Sequence, residues 1–493
     1  MKPAHLFKAL LPLLAVLCCC SSSDQLRTRD VSAAELRDKI NGGLLGQFFG
    51  NLNGLPHENK YFEEPGSVSA YVPDLSDGAF TDDDTDIEFV YIWYMNQEDE
   101  IQLPYDRVYE LWIDHIKEHI WCSNEYARRL MEIGFKPPNT GRIAFNPWAV
   151  FNISGQFLSE QFGLIAPGMP QTAARIGTHY THVAVDGEPI QATQMFDAMI
   201  ATAFFEDDFM QIVSAELASL DPGSELHEIV SRVIDWYNSH PDDWRATRRK
   251  IKEAYWSGEW AGPGGSNGYR TITAATIGSI LHGEGDFVKS IQLAFNFGWD
   301  ADNISAMVGT IMGLLKGEKW IREQGWSIKD EYRNSRRPAL PTDLTITEFA
   351  ELHFRLARRV ILENGGTEIQ VSGEEGFRIA LEPPANIEEI PRPLNRLEEM
   401  RAEWHPIIQR DLAKDSNAQA RAVYAAVCLG LAGEIAFRYP EEWREAITAF
   451  QPHFENLFEH DMWSREARDY FREVVVNGDP GTEYPPIWPH PDW

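Results

Sequence analysis

The segment Thr81-Asp82-Asp83-Asp84-Thr85-Asp86-Ile87-Glu88 packs five carboxylates and two hydroxyls into eight residues. An apolar run, Phe89-Val90-Tyr91-Ile92-Trp93-Tyr94-Met95, follows at once. So much like charge at the edge of a buried segment is costly unless something positive neutralises it. A helix N-terminus offsets part of the cost, because Asp and Thr cap free N–H groups and the macrodipole favours anions. Hard cations offset more, since Mg²⁺ and Ca²⁺ are ligated by carboxylate and hydroxyl oxygens. Two readings stand side by side: an over-acidic helix cap, and one half of a metal site.

A second stretch has the same character. Gly298-Trp299-Asp300-Ala301-Asp302-Asn303 opens the apolar helical run 304–315 and sets carboxylates at i and i+2 behind a glycine. Two acidic helix starts far apart in sequence can converge on one metal cluster. Neither fits a calcium EF-hand: counting from Asp82, position six is Ile87 rather than glycine and position twelve is Trp93 rather than Glu.

The elements that must position these groups read as helices. Residues 33–54 carry Gly46, Gly50 and Gly54 at i, i+4, i+8 on one helical face. Glycine weakens a helix interior, so the stripe marks a close approach, by another helix or by a ligand. Both fit. Helical periodicity recurs over 87–96, 108–133, 194–220, 224–239, 243–255, 272–282, 287–296 and 304–317. Strand-like alternation is confined to 367–381, where Gly365-Gly366 and Gly373 punctuate a small hairpin. The proline-rich stretch 382–393 reads as a linker, and helix patterns return beyond it, as over 418–437. The tail 480–493, rich in proline and tryptophan, reads as extended or loose. The fold class is all-α: a multi-helix bundle with a small β-hairpin and additional C-terminal helices.

At the N-terminus, Lys2 and Lys8 precede a short apolar stretch over 10–17 that ends in Cys18-Cys19-Cys20. The run is too short to span a bilayer as a finished helix. It reads as a bacterial lipoprotein signal, so the protein is expected to be exported and held at a membrane only through its lipid. The organisation is then a signal over 1–20, a tether over 21–32, a helical domain over 33–364, a hairpin and linker over 365–393, and a helical region over 394–493. Only Cys122 and Cys428 lie outside the signal, which is no disulfide framework. The net charge of −31 argues against nucleic acid or anionic lipid as partners, since both need a basic surface. A small-molecule or glycan substrate remains.

Other motifs carry less. Gly264-Gly265-Ser266-Asn267-Gly268 matches G-x-S-x-G in form, yet a nucleophile elbow must follow a buried strand and Trp260-Ala261-Gly262-Pro263 precedes this one. A loop capping a helix is the better reading. His179 and His182 sit three apart with no third ligand evident, a weak zinc signal. There is no phosphate-binding loop, dinucleotide fingerprint or H-E-x-x-H.

Three motifs taken together resemble the ADP-ribosylglycohydrolase family, all-α proteins typified by the enzyme that reactivates dinitrogenase reductase. They are Gly46-Gln47-Phe48-Phe49-Gly50-Asn51-Leu52-Asn53-Gly54 with Glu58 downstream, then Asp82-Asp83-Asp84-Thr85, then Gly298-Trp299-Asp300-Ala301-Asp302-Asn303. Ala166-Pro167-Gly168 and a helix start at Thr181-His182 resemble intervening family segments more loosely. The resemblance covers roughly 33–364.

The resemblance implies a site for two divalent cations, normally Mg²⁺ or Mn²⁺. Asp83 and Asp84 match the family's paired aspartates, and Asp82 stands where Thr or Ser is usual. Asp300 and Asp302 match the second pair, and Asn303 replaces a threonine ligand. Gln47 and Asn51 fall near positions often held by Asp. Glu58 is the expected general acid or base outside the metal shell, with Asp86 and Glu88 weaker because helix spacing points them elsewhere. Gly50, Asn51, His182, Gly298 and Trp299 are expected beside the substrate, Trp299 as a ring to stack on a sugar. The activity implied is hydrolysis of an N- or O-glycosidic bond at the anomeric carbon of ADP-ribose or a related furanoside. An exported enzyme acting on a glycan without ADP-ribose is the alternative, and a non-catalytic glycan-binding lipoprotein is the competing class.

Overall fold

Two helices in backbone contact set the architecture. The first, Ala33–Gly54, and a later one, Ala301–Lys316, cross antiparallel, each presenting its glycines to the other. A Cβ at Gly46 would stand 1.9 Å from the Gly309 carbonyl oxygen, and one at Gly309 would stand 2.1 Å from that of Gly46. Gly42 meets Gly313 and Gly317 in the same way, and Gly50 meets Ser305. No side chain fits in such a seam. The stripe is therefore a helix–helix contact, and Gly50 is taken up by packing rather than by a substrate.

The computed structural model describes residues 27–390, 393–459 and 462–478. It is 61% helical, with a few small strands, so the chain is all-α as expected. The signal at 1–20 and the tail at 480–493 lie outside the described residues. None of the described helices is long and apolar enough to cross a membrane.

Where periodicity alone suggested long helices, turns intervene. The 108–133 stretch is two helices, Tyr105–His115 and Cys122–Glu132. The 194–220 stretch breaks between Glu188–Ala203 and Phe209–Glu216, the second capped by Asp208. The acidic helix is Asp83–Glu98 and starts ahead of its apolar periodicity, because its first turn is carboxylate.

Residues 28–32, read from sequence as tether, form a strand, Thr28–Ser32. It pairs antiparallel with Glu374–Ala380, which pairs in turn with Thr367–Val371. Val31 lies opposite Phe377 and both are buried, which gives the segment a reason to dock. Two short parallel pairs, Asp74–Leu75 with Ser327–Ile328 and Ala79–Phe80 with Tyr332–Arg333, tie the approach to the acidic helix to the 327–337 segment.

The described part of the linker is a strap laid on the helical body. Gln194 Oε1 accepts from the Ile387 and Glu388 N–H groups at 2.9 and 3.0 Å, and Glu382 accepts from the Thr172 N–H at 2.8 Å. The C-terminal helices share the main hydrophobic core, with Trp404 stacked on Phe135 and the Tyr424 hydroxyl donating to the Phe145 carbonyl at 2.6 Å. Cys122 and Cys428 are buried and unpaired with each other.

Candidate metal centre and active site

The antiparallel crossing brings the end of one helix to the start of the other. A Cβ at Gly54 would meet the Asp302 Cα at 2.5 Å. The Ser305 hydroxyl donates to the Gly50 carbonyl at 2.7 Å and locks the register. From Gly54 the chain passes through one 3-10 turn, Leu55–His57, to Glu58. The acidic helix is placed by the same first helix: the Asn51 amide donates to Asp82 at 3.1 Å and to Asp84 at 3.2 Å. One turn earlier, Gln47 donates to the Asp84 carbonyl at 3.3 Å and to Glu88 at 3.0 Å.

Carboxylate oxygens of Asp82, Asp84 and Asp302 lie within 4.8 Å of one another, as do those of Glu58, Asp300 and Asp302. Asp302 belongs to both sets, so acids from three segments form one cluster. Asp82 and Asp300 occupy helix N-cap positions, yet neither side chain bonds to its helix. Asp208, Asp243, Asp286 and Asp415 hold the same position and do accept from their helices' N–H groups. The over-acidic cap reading requires the second behaviour. The structure has the first.

Electrostatics follow from this crowding. Burial first, then the Asp302 charge, pushes Asp84 well above the usual carboxylate range. Asp300 is raised by the same two causes in the same order, and Asp302 is pushed to about 8 by burial, then by Glu58 and Asp82. Glu58 is raised by burial and next by Asp82. Among the described residues only Arg336, its Nη1 3.2 Å from Asp82, makes an ion pair with any of these five. That guanidinium answers the extra charge of an aspartate standing where the resemblance expects Thr or Ser.

Hard oxygen donors in excess of their countercharge fit a divalent cation. So do two buried oxygens without partners, Asn51 Oδ1 and Asp302 Oδ1, which an ion would satisfy.

Several expected site residues stand elsewhere. Asp83 is in neither carboxylate set; half-buried on the first turn of the acidic helix, it stands beside the cluster, raised by burial and then by the charges of Asp82, Asp86 and Asp302. Asn303 turns its oxygen to Gln156, which donates to it at 2.8 Å, and offers its amide to Asp84 at 3.4 Å. Its oxygen is thus not presented as a ligand. Glu58 lies within the cluster rather than outside it. Trp299 is fully buried, with the Arg248 guanidinium 4.2 Å above its ring and Trp256 beside it, so no face is open to a sugar. Gly298 is glycine because φ is +84° and a Cβ would meet the Tyr61 carbonyl at 2.3 Å. His182 follows the end of helix Pro170–Thr181 instead of starting one, and bonds Glu388 of the strap at 2.9 Å. His179 bonds the Leu103 carbonyl, so the histidine pair shares no ligand. Asp86 and Glu88 point into the core, to Arg337 and to Gln47 with Gln161.

Three contributors escaped sequence reasoning: Arg336, Gln156 and Arg248. Arg248 is buried and donates to the carbonyls of Tyr61, Phe62, Glu63 and Phe297, fastening the segment after Glu58 to the turn before Asp300. Arg336 sits in a loop and Gln156 in a short helix, where no periodicity singles out a residue.

Fold and site define an all-α protein with a polycarboxylate centre built at crossed helix ends. The family model described as ADP-ribosylglycohydrolase matches residues 32–359, well over half of the chain, and the chain belongs to that family. A search of curated proteins gives no match. Membership points to a glycohydrolase.

Proposed function

We propose that the protein is a metal-dependent glycosidase that hydrolyses an N- or O-glycosidic bond at the anomeric carbon of ADP-ribose or a related ribosyl or furanosyl compound. The observation that carries this reading is the convergence of Asp82, Asp84, Asp300, Asp302 and Glu58, with Asp302 common to both sets. Asp82, Asp84 and Asp302 would hold one divalent cation and Asp300 with Asp302 a second, Mg²⁺ by preference or Mn²⁺. Such ions, when bound, supply Lewis acidity and a more acidic bound water. Asn51 orients the Asp82 and Asp84 carboxylates through its amide. We assign proton transfer at the bond being cleaved to the Glu58 carboxylate, whose Oε1 is held by the Asn59 amide at 2.7 Å, leaving Oε2 for the substrate. The lipoprotein-like N-terminus supports action outside the cytoplasm, membrane-anchored by lipid alone, in the manner of an exported member of the dinitrogenase-reductase-activating type.

A glycan without ADP-ribose is the second reading, favoured by Trp121. Its ring is 46% exposed, and the neighbouring Cys122 thiol, raised chiefly by burial, also feels Asp83 and Asp300. A flat ring open to solvent near the acids suits a sugar.

Calorimetric titration of the chelator-stripped protein with Mg²⁺ and Mn²⁺ tests the proposal, followed by assays on ADP-ribosyl and furanosyl compounds. Wild type should bind about two ions, and Asp302→Ala should lose them along with at least ~10²-fold in turnover. Glu58→Gln should keep both ions and lose turnover by ~10²–10⁴-fold. No ion binding by the wild type sinks the metal reading. An ion lost in Glu58→Gln would make Glu58 a ligand instead.

A further inference from the structure

Beside the carboxylate cluster lies a cavity of about 340 Å³, walled by segments 117–118 and 334–342. We propose that it is an oxyanion subsite, taking a phosphate or sulfate ester group carried by the substrate. This rests on reading the cluster as the hydrolytic centre.

Charge comes first. In a chain of net charge −31, the lining carries Lys117, Arg336 and Arg337 against a single acid, Glu118. Arg337 is consumed by Asp86. Lys117 is exposed and makes no ion pair or hydrogen bond among the described residues. Arg336 spends one nitrogen on Asp82 and keeps Nε and Nη2. An ammonium and a guanidinium edge on the same lining offer several donors to a group with several acceptor oxygens. That is the chemistry of a phosphate or sulfate ester.

The walls are fixed before any ligand arrives. Arg337, fully buried, donates to the carbonyls of Glu118 and His119 at 2.8 and 3.0 Å, so the two walls share one cross-brace. Asn334 closes the loop on itself, donating to the Arg337 carbonyl at 2.8 Å and accepting from the Arg337 N–H at 2.9 Å. The Thr81 and Ser335 hydroxyls bond at 2.9 Å and anchor the loop to the acidic stretch. A site held open in this way loses little entropy on binding.

Position completes the case. Arg336 lines the cavity on one side and touches Asp82 on the other. An ester group seated there lies one guanidinium away from the metal-binding acids, as a substituent on the cleaved sugar or its neighbour would. The same guanidinium screens that group from the acids, which would otherwise repel an anionic substrate.

The test is calorimetric titration of the full chain in chelator with sodium phosphate and with sodium sulfate, against chloride at matched ionic strength. Chelator keeps a metal from holding the anion. One anion per chain should bind to wild type, Lys117→Glu should weaken it by about tenfold or more, and Lys117→Gln by less. Stronger binding of phosphate identifies a phosphate ester, and stronger binding of sulfate a sulfate ester. The subsite is overturned if neither anion binds wild type or if Lys117→Glu binds as wild type does. A parallel Mg²⁺ titration separates the two claims. Ions without anions leave the metal reading and end the subsite; anions lost in Lys117→Glu, with no ions bound, keep the subsite and end the hydrolytic reading.

Discussion

Aspartates at helix starts are used in two ways in this molecule. At Asp208, Asp243, Asp286 and Asp415 the carboxylate accepts from the N–H groups of its own helix. At Asp82 and Asp300 the carboxylate leaves its helix unbonded and faces other acids. Residue type and position are the same, so neither distinguishes the two. The difference lies in what the neighbouring helix offers: Asn51 draws Asp82 sideways, and the seam at Gly54 brings Asp302 alongside Glu58. An aspartate turned from the dipole toward like charge is uphill unless a cation joins it. Orientation of the carboxylate, more than its presence, separates a cap from a ligand.

Asp86, on the first turn of the acidic helix, is answered by Arg337, with both side chains fully buried. Arg337→Met strands that acid and should cost about 3–5 kcal/mol, read as a lowered urea midpoint. Adding Asp86→Asn should recover part of the loss. If the single variant keeps the wild-type midpoint, the distinction between answered and unanswered acids fails.

Glu216 is neutralised more weakly, by the Thr202 and Ser219 hydroxyls donating at 2.6 Å each, and burial pushes it from 4.5 to about 7. Between those two values the folded chain holds a proton that the unfolded chain has released. Its contribution to stability therefore falls as pH rises through that window and is level above it. Glu216→Gln should gain on wild type across the window by on the order of 1–3 kcal/mol, measured by denaturation at either end. A constant difference at both ends would remove the hydroxyl-bonded acid from the series.

The unanswered acids predict the opposite sign from the caps. In chelator, Asp84→Asn removes the cost of burying an ionisable acid among other acids and should stabilise the fold by ~0.5–2 kcal/mol. With Mg²⁺ at a hundred times its Kd the wild type should regain about 2.7 kcal/mol by mass action and the variant should not. Smallest is the ordinary cap, where Asp286→Ala should destabilise by about 1 kcal/mol with or without Mg²⁺. Thermal melts of the two variants in both buffers suffice, and equal signs would erase the contrast.

Much of this was readable from residue types. The glycine stripe announced a close approach, and the two acidic stretches announced a site. What spacing could not convey was the partner. A stripe at i, i+4, i+8 marks one helix face but does not say that a second stripe, at Gly309, Gly313 and Gly317, lies against it. The direction of Asn303 is decided by Gln156, distant in sequence. Trp299 belongs to a buried turn with φ of +59°, a conformation that its side chain does not betray. Arg336 reaches Asp82 only because the short pairing of Ala79–Phe80 with Tyr332–Arg333 places its loop there. The strap over 382–390 looked like a linker because proline-rich sequence carries no sign of what it lies on.

The glycine seam also limits how this chain can change length. One residue inserted between Gly42 and Gly54 would rotate everything after it by about 100°, turning side chains onto the backbone of Ser305 and Gly309. The exposed hairpin turn at Ser372 and Gly373 absorbs the same insertion without touching the seam. Gains and losses of residues should therefore avoid both crossing helices, and the spacing of the acids they carry is preserved by a ban on length variation more than by the acids themselves.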